Sequence, residues 1–253
     1  MKTALVNISF LLLFCYLGAS ILLYVFQRNF LYFPTEKYAH PYESMSVSSE
    51  GETLEIIVLN RGNTKALIYF GGNGEAVVAN AEAFALNFSD VTTYLVNYRG
   101  YGGSSGKPTE SGIYKDALEV YDQVQETHSY ISVAGRSLGS GVATYLAANR
   151  PVKGVALITP YDSILNVAKN RFSMFPVKYL LKDQYDSLSR AKEIKSNILV
   201  IAAEHDQVIP MRHTQRLVDG FRQDQVLLKV IKNSGHNNLS NSAVYYELLK
   251  NFI

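Results

Sequence analysis

The chain has 253 residues, of which 47% are apolar and 18% charged, and this favours one large α/β domain with a substantial core. Its formal net charge is only +2, with no basic cluster interleaved with aromatic residues, which argues against nucleic acid as a partner. The single cysteine, Cys15, excludes an intramolecular disulfide, and no pattern typical of a metal or an organic cofactor is found in the sequence.

The first predicted element is a membrane-spanning helix. Residues Ala4 to Phe26 carry no charge, and a helix of that length spans roughly 35 Å, more than the ~30 Å core of a bilayer. A cleaved signal peptide is the alternative, but the run is long for one, and Leu17-Gly18-Ala19 lacks a small residue at both cleavage positions. We therefore predict an uncleaved single-pass anchor over residues 1–30 and a folded domain over residues 31–253.

Aromatic residues follow the apolar run, as expected where a span leaves the membrane. The predicted belt lies at the depth of Arg28 and consists of Tyr24, Phe26, Phe30, Tyr32 and Phe33. Positive charges flank the span on both sides, with Lys2 and the terminal amine before it and Arg28 and Lys37 after it. The positive-inside rule therefore favours neither orientation, and the side that the domain faces stays open.

Strands and helices alternate after the anchor. The runs Leu54–Leu59 and Lys65–Phe70 are separated by a polar turn signal at 60–64, which predicts an antiparallel hairpin. The alternation that follows predicts a mostly parallel sheet with helices on both faces. The predicted strands are 91–97, 130–134, 154–159, 198–203 and 226–231, and the predicted helices are 75–88, 110–128, 138–149, 211–221 and 240–252.

The stretch 161–195 interrupts this rhythm with an unusual apolar and aromatic content. Its notable residues are Arg171, Phe172, Met174, Phe175, Pro176, Tyr179, Leu180 and Leu181. We predict a small cap of at most two short helices over a pocket that is shallow or open at one side. The alternative is that these side chains pack on the edge of the sheet.

The candidate nucleophile is Ser137, within Gly135-Arg136-Ser137-Leu138-Gly139. A short apolar strand precedes this Gly-x-Ser-x-Gly corner and an apolar helix follows it, which is the context of a nucleophile elbow. The two glycines allow a sharp, strained turn that exposes the hydroxyl, and the N-terminus of the helix favours negative charge beside it. A serine that merely caps a helix in a nucleotide-binding or inert domain is the alternative.

A second copy of the pattern occurs at Gly102-Gly103-Ser104-Ser105-Gly106. It runs into Lys107-Pro108, where no apolar helix can begin cleanly. Ser104 is therefore predicted to lie in a loop.

A nucleophilic serine needs a base and a carboxylate that orients the base. We predict His236 as the base, because it lies in a polar loop directly after the predicted strand 226–231, rather than His205 or His213. The predicted acid is Asp206, which follows the preceding strand and gives the order Ser, Asp, His. Glu204 and, after it, Asp162 are the rival carboxylates.

The oxyanion of a tetrahedral intermediate needs two N–H donors. The Leu138 amide, next to the nucleophile, is the first predicted donor. The second is the Asn73 amide in the glycine-rich turn Phe70-Gly71-Gly72-Asn73-Gly74. Such a turn before a helix is also able to cradle a phosphate, but no Lys-Ser/Thr follows and the spacing is not that of a P-loop.

These motifs resemble those of the α/β-hydrolase superfamily. Three further segments share the resemblance: the loop Asn97-Tyr98-Arg99-Gly100-Tyr101-Gly102, Ser234-Gly235-His236 and the anchor exit Leu31-Tyr32-Phe33-Pro34. The resemblance covers the chain from about Tyr32 to its end, and it is to a branch of small, minimally capped, often single-pass membrane serine hydrolases. One departure is that many relatives have His-Gly-Asn where this chain has Gly71-Gly72-Asn73. The backbone donors survive that change.

The resemblance implies an α/β-hydrolase fold and a membrane serine hydrolase that cleaves an acyl ester or thioester, with a lipid-like substrate favoured by the anchor and the apolar cap. Some similar proteins remove fatty acyl groups from proteins, and others act on esters or peptides. An aminopeptidase or acylpeptidase with the same triad is an alternative, for which Glu204 and Asp183 would recognise a substrate amine. The other alternative is a non-catalytic, membrane-anchored binding module.

Overall fold

The computed structural model describes residues 2–253, so Met1, the first residue of the predicted anchor, lies outside the described residues. The chain begins with a long apolar helix, α1 (Lys2–Leu31), which extends past the uncharged run Ala4–Phe26 and ends within one residue of the predicted anchor boundary at residue 30. By length and composition this helix is able to cross a membrane, although a signal sequence passes the same test. Its apolar side chains are largely exposed, as a membrane span requires.

Eight strands form one sheet in the order β1-β2-β4-β3-β5-β6-β7-β8. The pairs β1–β2 and β2–β4 are antiparallel, and all the other neighbours are parallel. The strands are β1 (Glu43–Ser49), β2 (Glu52–Leu59), β3 (Lys65–Phe70), β4 (Val91–Val96), β5 (Tyr130–Arg136), β6 (Gly154–Ile158), β7 (Asn197–Ala203) and β8 (Val226–Ile231). The predicted α/β architecture with a mostly parallel sheet is confirmed.

Helices cover both faces of the sheet. They are α2 (Ala81–Asn87), α3 (Glu110–Gln125), α4 (Leu138–Asn149), α5 (Ile164–Arg171), α6 (Val177–Leu180), α7 (Ser187–Arg190), α8 (Met211–Gly220) and α9 (Ala243–Phe252). Short 3-10 turns occur at Val77–Asn80, Ala191–Glu193 and Leu239–Asn241. The segment predicted as one helix over 75–88 therefore begins with a 3-10 turn and becomes α-helical only at Ala81.

The hairpin predicted between Leu54–Leu59 and Lys65–Phe70 is wrong. Strand β2 pairs with β1 and β4, whereas β3 lies between β4 and β5 in the parallel part of the sheet. The reason is burial: after its first residue, β3 is buried at every position, so it needs a neighbour on each side and helices on both faces. The true partner, β1, has the serine-rich sequence ESMSVSS, whose weak apolar pattern gave no strand prediction.

The sheet separates two hydrophobic clusters. Adjacent strand residues point to opposite faces, so Val133 of β5 belongs to one cluster and Ala134 to the other. Helices α3 and α4 cover the first cluster, with Val120 and Val142 fully buried there. Helices α2 and α9 cover the second, and Phe84 is buried on that face. Each buried aliphatic side chain stabilises the fold by about 1.5–3 kcal/mol.

The cap contains more helix than the sequence predicted. In place of at most two short helices, the stretch 161–195 holds α5, α6, α7 and a 3-10 turn. Side-chain caps explain two of these helix starts, because Ser163 accepts from the Asn166 amide at 3.0 Å and Asp186 accepts from the Ser189 amide at 3.1 Å. Such caps satisfy N–H groups that a helix start leaves free.

The exit from α1 is packed into the domain. Tyr32 is buried, and its hydroxyl lies 2.9 Å from that of Tyr185, which is also buried. Its predicted place in an interfacial aromatic belt is therefore wrong, since its ring belongs to the core. The remaining members of the belt, Tyr24, Phe26, Phe30 and Phe33, are exposed.

The corner between β5 and α4 sets a strict limit on side-chain size, which is testable. A Cβ atom on Gly135 would lie 2.1 Å from the carbonyl oxygen of Gly139, so Gly135→Ala forces the backbone apart. We expect a loss of about 3 kcal/mol in the free energy of unfolding, measured by chemical denaturation. The control is Gly235→Ala, whose new Cβ meets nothing closer than 3.6 Å. Equal stability of both variants would contradict the packing of this corner.

Candidate active site

Ser137 stands at the turn from β5 into α4. Its φ of 50° and ψ of −114° lie outside the regions that residues with side chains favour, so the backbone is strained there. The Ser137 amide donates to the carbonyl of Ile158 in the neighbouring strand at 2.8 Å, which holds the turn in place. The predicted nucleophile elbow is thus present as a local geometry.

Three side chains that lie far apart in the sequence meet at this corner. His236 Nε2 lies 3.0 Å from Ser137 Oγ, and His236 Nδ1 lies 2.8 Å from Asp206 Oδ2. An ionised carboxylate only accepts hydrogen bonds, so Nδ1 carries the proton and Nε2 is left to accept from the serine hydroxyl. The structure therefore brings together Ser137, His236 and Asp206 in the arrangement of a nucleophile, a base and an orienting acid.

The carboxylate of Asp206 is itself held in place. Its Oδ1 atom accepts from the amides of Val208 and Ile209, at 2.9 and 2.7 Å, while Oδ2 faces His236. These bonds use both oxygens and fix the orientation of the carboxylate. The side chains of Asp206 and His236 are 6% and 9% exposed, so water competes little for their hydrogen bond.

The rival groups after β7 lie elsewhere. Glu204 accepts from the Asn233 amide at 2.8 Å and pairs with His205 at 3.5 Å. Both side chains are exposed, at 39% and 66%. Neither has a contact with Ser137 or His236 among the hydrogen bonds of the described residues.

Asp162 and His213 form a separate buried pair beneath the cap. Asp162 accepts from His213 Nδ1, from the Ser163 amide and from Asn166 Nδ2, each at 2.8 Å, and from Arg216 at 3.1 Å. Burial alone would raise the pKa of Asp162, but these bonds, led by that from His213, hold the pKa below its usual range. The hydrogen bonds of this pair join α5 of the cap to α8, which is a structural role.

Two backbone amides lie beside the serine. Leu138 and Asn73 both line the cavity that contains Ser137, and neither amide donates to any acceptor within the described part of the chain. Asn73 is fixed by its other groups: its carbonyl accepts from the Phe33 amide and its side chain donates to the Leu31 carbonyl. Two free N–H donors beside a nucleophile are what an oxyanion requires.

Ser104 occupies a loop, as the sequence predicts. Its hydroxyl donates to the Asn97 carbonyl at 2.9 Å and accepts from the Glu55 amide at 2.9 Å. These bonds join the loop after β4 to the antiparallel β2. The serine of the second Gly-x-Ser-x-Gly copy therefore holds this loop against β2 through hydrogen bonds.

Glu75 and Arg136 form an ion pair next to the site that was not predicted from the sequence. Glu75 Oε2 accepts from the Gly72 amide at 2.8 Å and from Arg136 Nη1 at 3.0 Å, and Arg136 Nη2 donates to the His236 carbonyl at 3.2 Å. Both side chains are mostly buried, at 11% and 19% exposure. The pair thus links the glycine-rich turn 70–74, the elbow and the loop that contains His236. Its only sequence signal is that Arg136 precedes the serine and Glu75 follows the glycine-rich turn.

A cavity of about 250 Å³ opens beside Ser137. It is mainly apolar, with walls formed by the elbow, the cap and the last turns of α1. The cap contributes Ile164, Val167, Ala168, Arg171, Phe172, Phe175, Val177, Leu180 and Leu181, and α1 contributes Leu23, Gln27, Phe30 and Leu31. The cap aromatics Phe172 and Phe175 thus line the cavity. The sequence predicts α1 only as an anchor and gives no sign that its last turns line this cavity.

Several known proteins are similar to this chain in sequence. Residues 65–190 match a family model described as alpha/beta hydrolase fold. An uncharacterized protein of Mycobacterium tuberculosis, Rv2307c, is 29% identical over 93% of this chain and 90% of its own length. The human alpha/beta hydrolase domain-containing protein 17B is 26% identical over 76% of this chain and 67% of its own.

A solved structure shows the same fold. The Pf2001 esterase of Pyrococcus furiosus superposes with a TM-score of 0.68, covering 87% of this chain and 99% of the esterase. The sequence identity is 17%, so this likeness concerns the fold alone.

We predict that removal of the Glu75–Arg136 ion pair lowers the reactivity of Ser137. Glu75→Ala frees the Gly72 amide and the Arg136 side chain, and we expect labelling of Ser137 by a fluorophosphonate to slow by about tenfold to 100-fold. Glu75→Gln, which keeps an acceptor, should restore part of the rate. The measurement is the second-order labelling rate of folded protein.

The matched control is Asp122→Ala, which removes the more exposed Asp122–Arg150 ion pair remote from the site. Its labelling rate should equal that of the unmutated chain. Equal rates for Glu75→Ala and Asp122→Ala would show that the buried pair does not position the site.

Proposed function

The chain belongs to the α/β-hydrolase superfamily, and we propose that it is a membrane-anchored serine hydrolase that cleaves an acyl ester or thioester through an acyl-enzyme on Ser137. The observation that carries this proposal is the Asp206–His236–Ser137 hydrogen-bond chain, which ends at a hydroxyl in the wall of an apolar cavity. The order Ser, Asp, His is that of the superfamily.

The reaction follows from the positions of these groups. Ser137 Oγ attacks the acyl carbonyl carbon while His236 Nε2 takes the hydroxyl proton. The carbonyl oxygen becomes an oxyanion, for which the Leu138 and Asn73 amides are the donors. The tetrahedral intermediate expels the alcohol or thiol, which takes the proton from His236, and Asp206 stabilises the imidazolium in between.

Water then releases the acyl group by the same route. His236 takes a proton from water, the hydroxide attacks the acyl carbonyl on Ser137, and the serine leaves with the proton from His236. The products are a carboxylic acid and the alcohol or thiol of the first step. No further reactant is needed.

The cavity lining supports an acyl chain as the bound group. A volume of about 250 Å³ is just below the range of roughly 300–1,000 Å³ typical of small-molecule pockets. Its walls are mainly aliphatic and aromatic, and burying an acyl chain against them is favourable by about 0.8 kcal/mol per methylene. A lipid-like substrate fits this composition.

The lining gives less support to a peptidase that recognises a substrate amine. Among the described residues that line the cavity there is no carboxylate. Asp183, one of the two candidates, is paired with Arg28 at 2.7 Å, and Glu204 is engaged with Asn233 and His205. A binding module without activity would have no need of the strained serine and its hydrogen-bonded histidine.

We propose that residues 1–30 form the anchor and residues 31–253 the catalytic domain. Cleavage after Ala19 would leave the rest of α1 as an apolar stub, with Ile21, Leu22 and Phe30 about 60% exposed in water. The last turns of α1 also line the cavity and hold Asn73 through the Leu31 carbonyl. Cleavage after Ala19 would keep these turns but would remove Tyr16, whose hydroxyl donates to the Met174 carbonyl of the cap at 2.9 Å, and the loss of this contact favours retention over removal.

Turnover of acyl substrates tests the proposed activity. Purified chain in detergent should hydrolyse p-nitrophenyl esters or acyl thioesters, with a preference for chains long enough to fill the apolar cavity. Ser137→Ala and His236→Ala should each lower kcat by at least about 10³-fold, because they act as one unit. Ser104→Ala should retain the activity. Failure to exceed the Ser137→Ala rate at every chain length would refute the proposal, and turnover of peptide amides in place of esters would favour the peptidase.

Membrane retention tests the anchor. The chain should stay in the membrane pellet after alkaline carbonate extraction with its full mass of 28.2 kDa. Deletion of residues 3–19 should weaken this retention, because the remaining helix is too short to cross a bilayer. A mature chain that begins near residue 20 on N-terminal sequencing would instead identify a cleaved signal peptide.

A further inference from the structure

The cap descends along α1. Two parts of the cap, near residue 174 and at residues 182–183, contact this helix at different levels along its axis. Asp183 pairs with Arg28 at 2.7 Å, and the Lys182 amide donates to the Gln27 side chain at 2.7 Å. Much nearer the N-terminus of α1, the Tyr16 hydroxyl donates to the Met174 carbonyl at 2.9 Å.

Ring contacts follow the same order. Lys182 lies over the ring of Tyr24, with its ammonium 4.2 Å from the centroid, whereas Phe175 stacks on Tyr16 with 5.5 Å between centroids. The helix rise places Arg28 and Tyr16 about 18 Å apart along the axis. The segment 171–182, which we name the cap tip, therefore covers a considerable length of the helix.

Tyr16 lies at membrane depth wherever the span is positioned. The uncharged stretch runs from Thr3 to Gln27, and the core of a bilayer takes about 20 helical residues. Every window of that length within the stretch contains Tyr16. In the window most distant from the domain, it still lies about 9 Å from the nearer end. Side chains that contact Tyr16 are then below the membrane surface.

The cap tip has the composition for that environment. Phe172, Met174 and Tyr179 are 37%, 79% and 81% exposed, and they continue the exposed apolar surface of α1. An apolar patch of this kind on a soluble surface is unfavourable and marks a site of contact. Its continuity with α1 makes the lipid of the bilayer the partner.

The charges around the patch are those expected of a surface that contacts lipid headgroups. From Ile164 to Lys182 the chain has no acidic residue and has four basic ones, all exposed: Lys169, Arg171, Lys178 and Lys182. Their long aliphatic stems allow the charged ends to reach the headgroup region while the rest lies in the acyl region. Basic residues beside an inserted apolar surface also attract anionic lipids.

We propose that the cap tip inserts into the bilayer beside α1 and places the mouth of the cavity within it. This inference rests on the proposed function. Phe172 and Phe175 of the cap tip and Leu23 of α1 all line the cavity that contains Ser137. An acyl chain then enters sideways from the membrane between helix and cap, and its tail stays in apolar surroundings throughout.

Fluorescence quenching measures the insertion directly. In a Cys15→Ser background, Met174→Cys and Tyr179→Cys are labelled with an environment-sensitive fluorophore and reconstituted into vesicles that contain lipids with spin labels at defined acyl depths. The matched control is Leu86→Cys on α2, where the side chain is 74% exposed on the domain. We expect quenching at 174 and 179 at least several-fold greater than at 86.

The proposal is overturned if the three positions are quenched equally, as they would be if a partner protein rather than lipid covered the patch. Because this readout needs no activity, it remains decisive if Ser137 proves inert, so the two proposals fail separately.

A kinetic arm tests the route of the substrate. Met174→Asp should lower the turnover of an acyl ester embedded in vesicles by about tenfold, while a short water-soluble ester is hydrolysed at the unmutated rate. Leu86→Asp should change neither rate. If Met174→Asp left the vesicle substrate unaffected, entry through the bilayer would be ruled out.

Discussion

The hydrogen bond between His236 Nε2 and Ser137 Oγ joins residues 99 positions apart, and it exists only because the sheet brings two strand ends together. Ser137 follows β5, Asp206 follows β7 and His236 follows β8, and all three strands run parallel. Their carboxyl ends therefore lie at one edge of the sheet, where such folds collect their functional groups. Burial of β5, β6 and β7 on both faces fixes this register, since any slip would move apolar side chains from one cluster to the other.

A second set of constraints shapes the space in front of the serine. The end of α1 holds Asn73 through the Leu31 carbonyl, and Tyr32 and Tyr185 join the anchor exit to the cap through their hydroxyls. The buried Asp162–His213 pair ties the other side of the cap to α8. The proposed oxyanion donor, the cavity walls and α1 are thus mechanically connected. This connection is why we propose that α1 contributes to the site in addition to its proposed part as an anchor.

Most of the parallel sheet and the candidate triad were predictable from sequence, because each depends on local signals. Long buried strands such as β6 and β7 are apolar throughout, and the elbow combines two glycines with an apolar helix. Chain order then singled out His236 and Asp206 from their rivals. Their placement around Ser137 agrees with the prediction, whereas their catalytic roles remain a proposal.

The features that the sequence did not predict depend on tertiary contacts. The turn at 60–64 indicates a reversal of the chain but not which strand becomes the neighbour, so the hairpin was wrong. The serine-rich β1 is stabilised by pairing with β2 rather than by its own apolar pattern. Likewise, Glu75 and Arg136 are charged residues that become a buried pair only once the turn and the elbow are packed together.

The formation of an acyl-enzyme on Ser137 is the central claim, and peptide mass spectrometry after acid quench tests it most directly. The chain is mixed with an excess of a long-chain acyl thioester, quenched during turnover and digested. We predict that the peptide containing Ser137 gains the mass of the acyl group and that Ser137→Ala gains none. Turnover with no adduct on that peptide, or an adduct on another residue such as Ser104, would contradict the account.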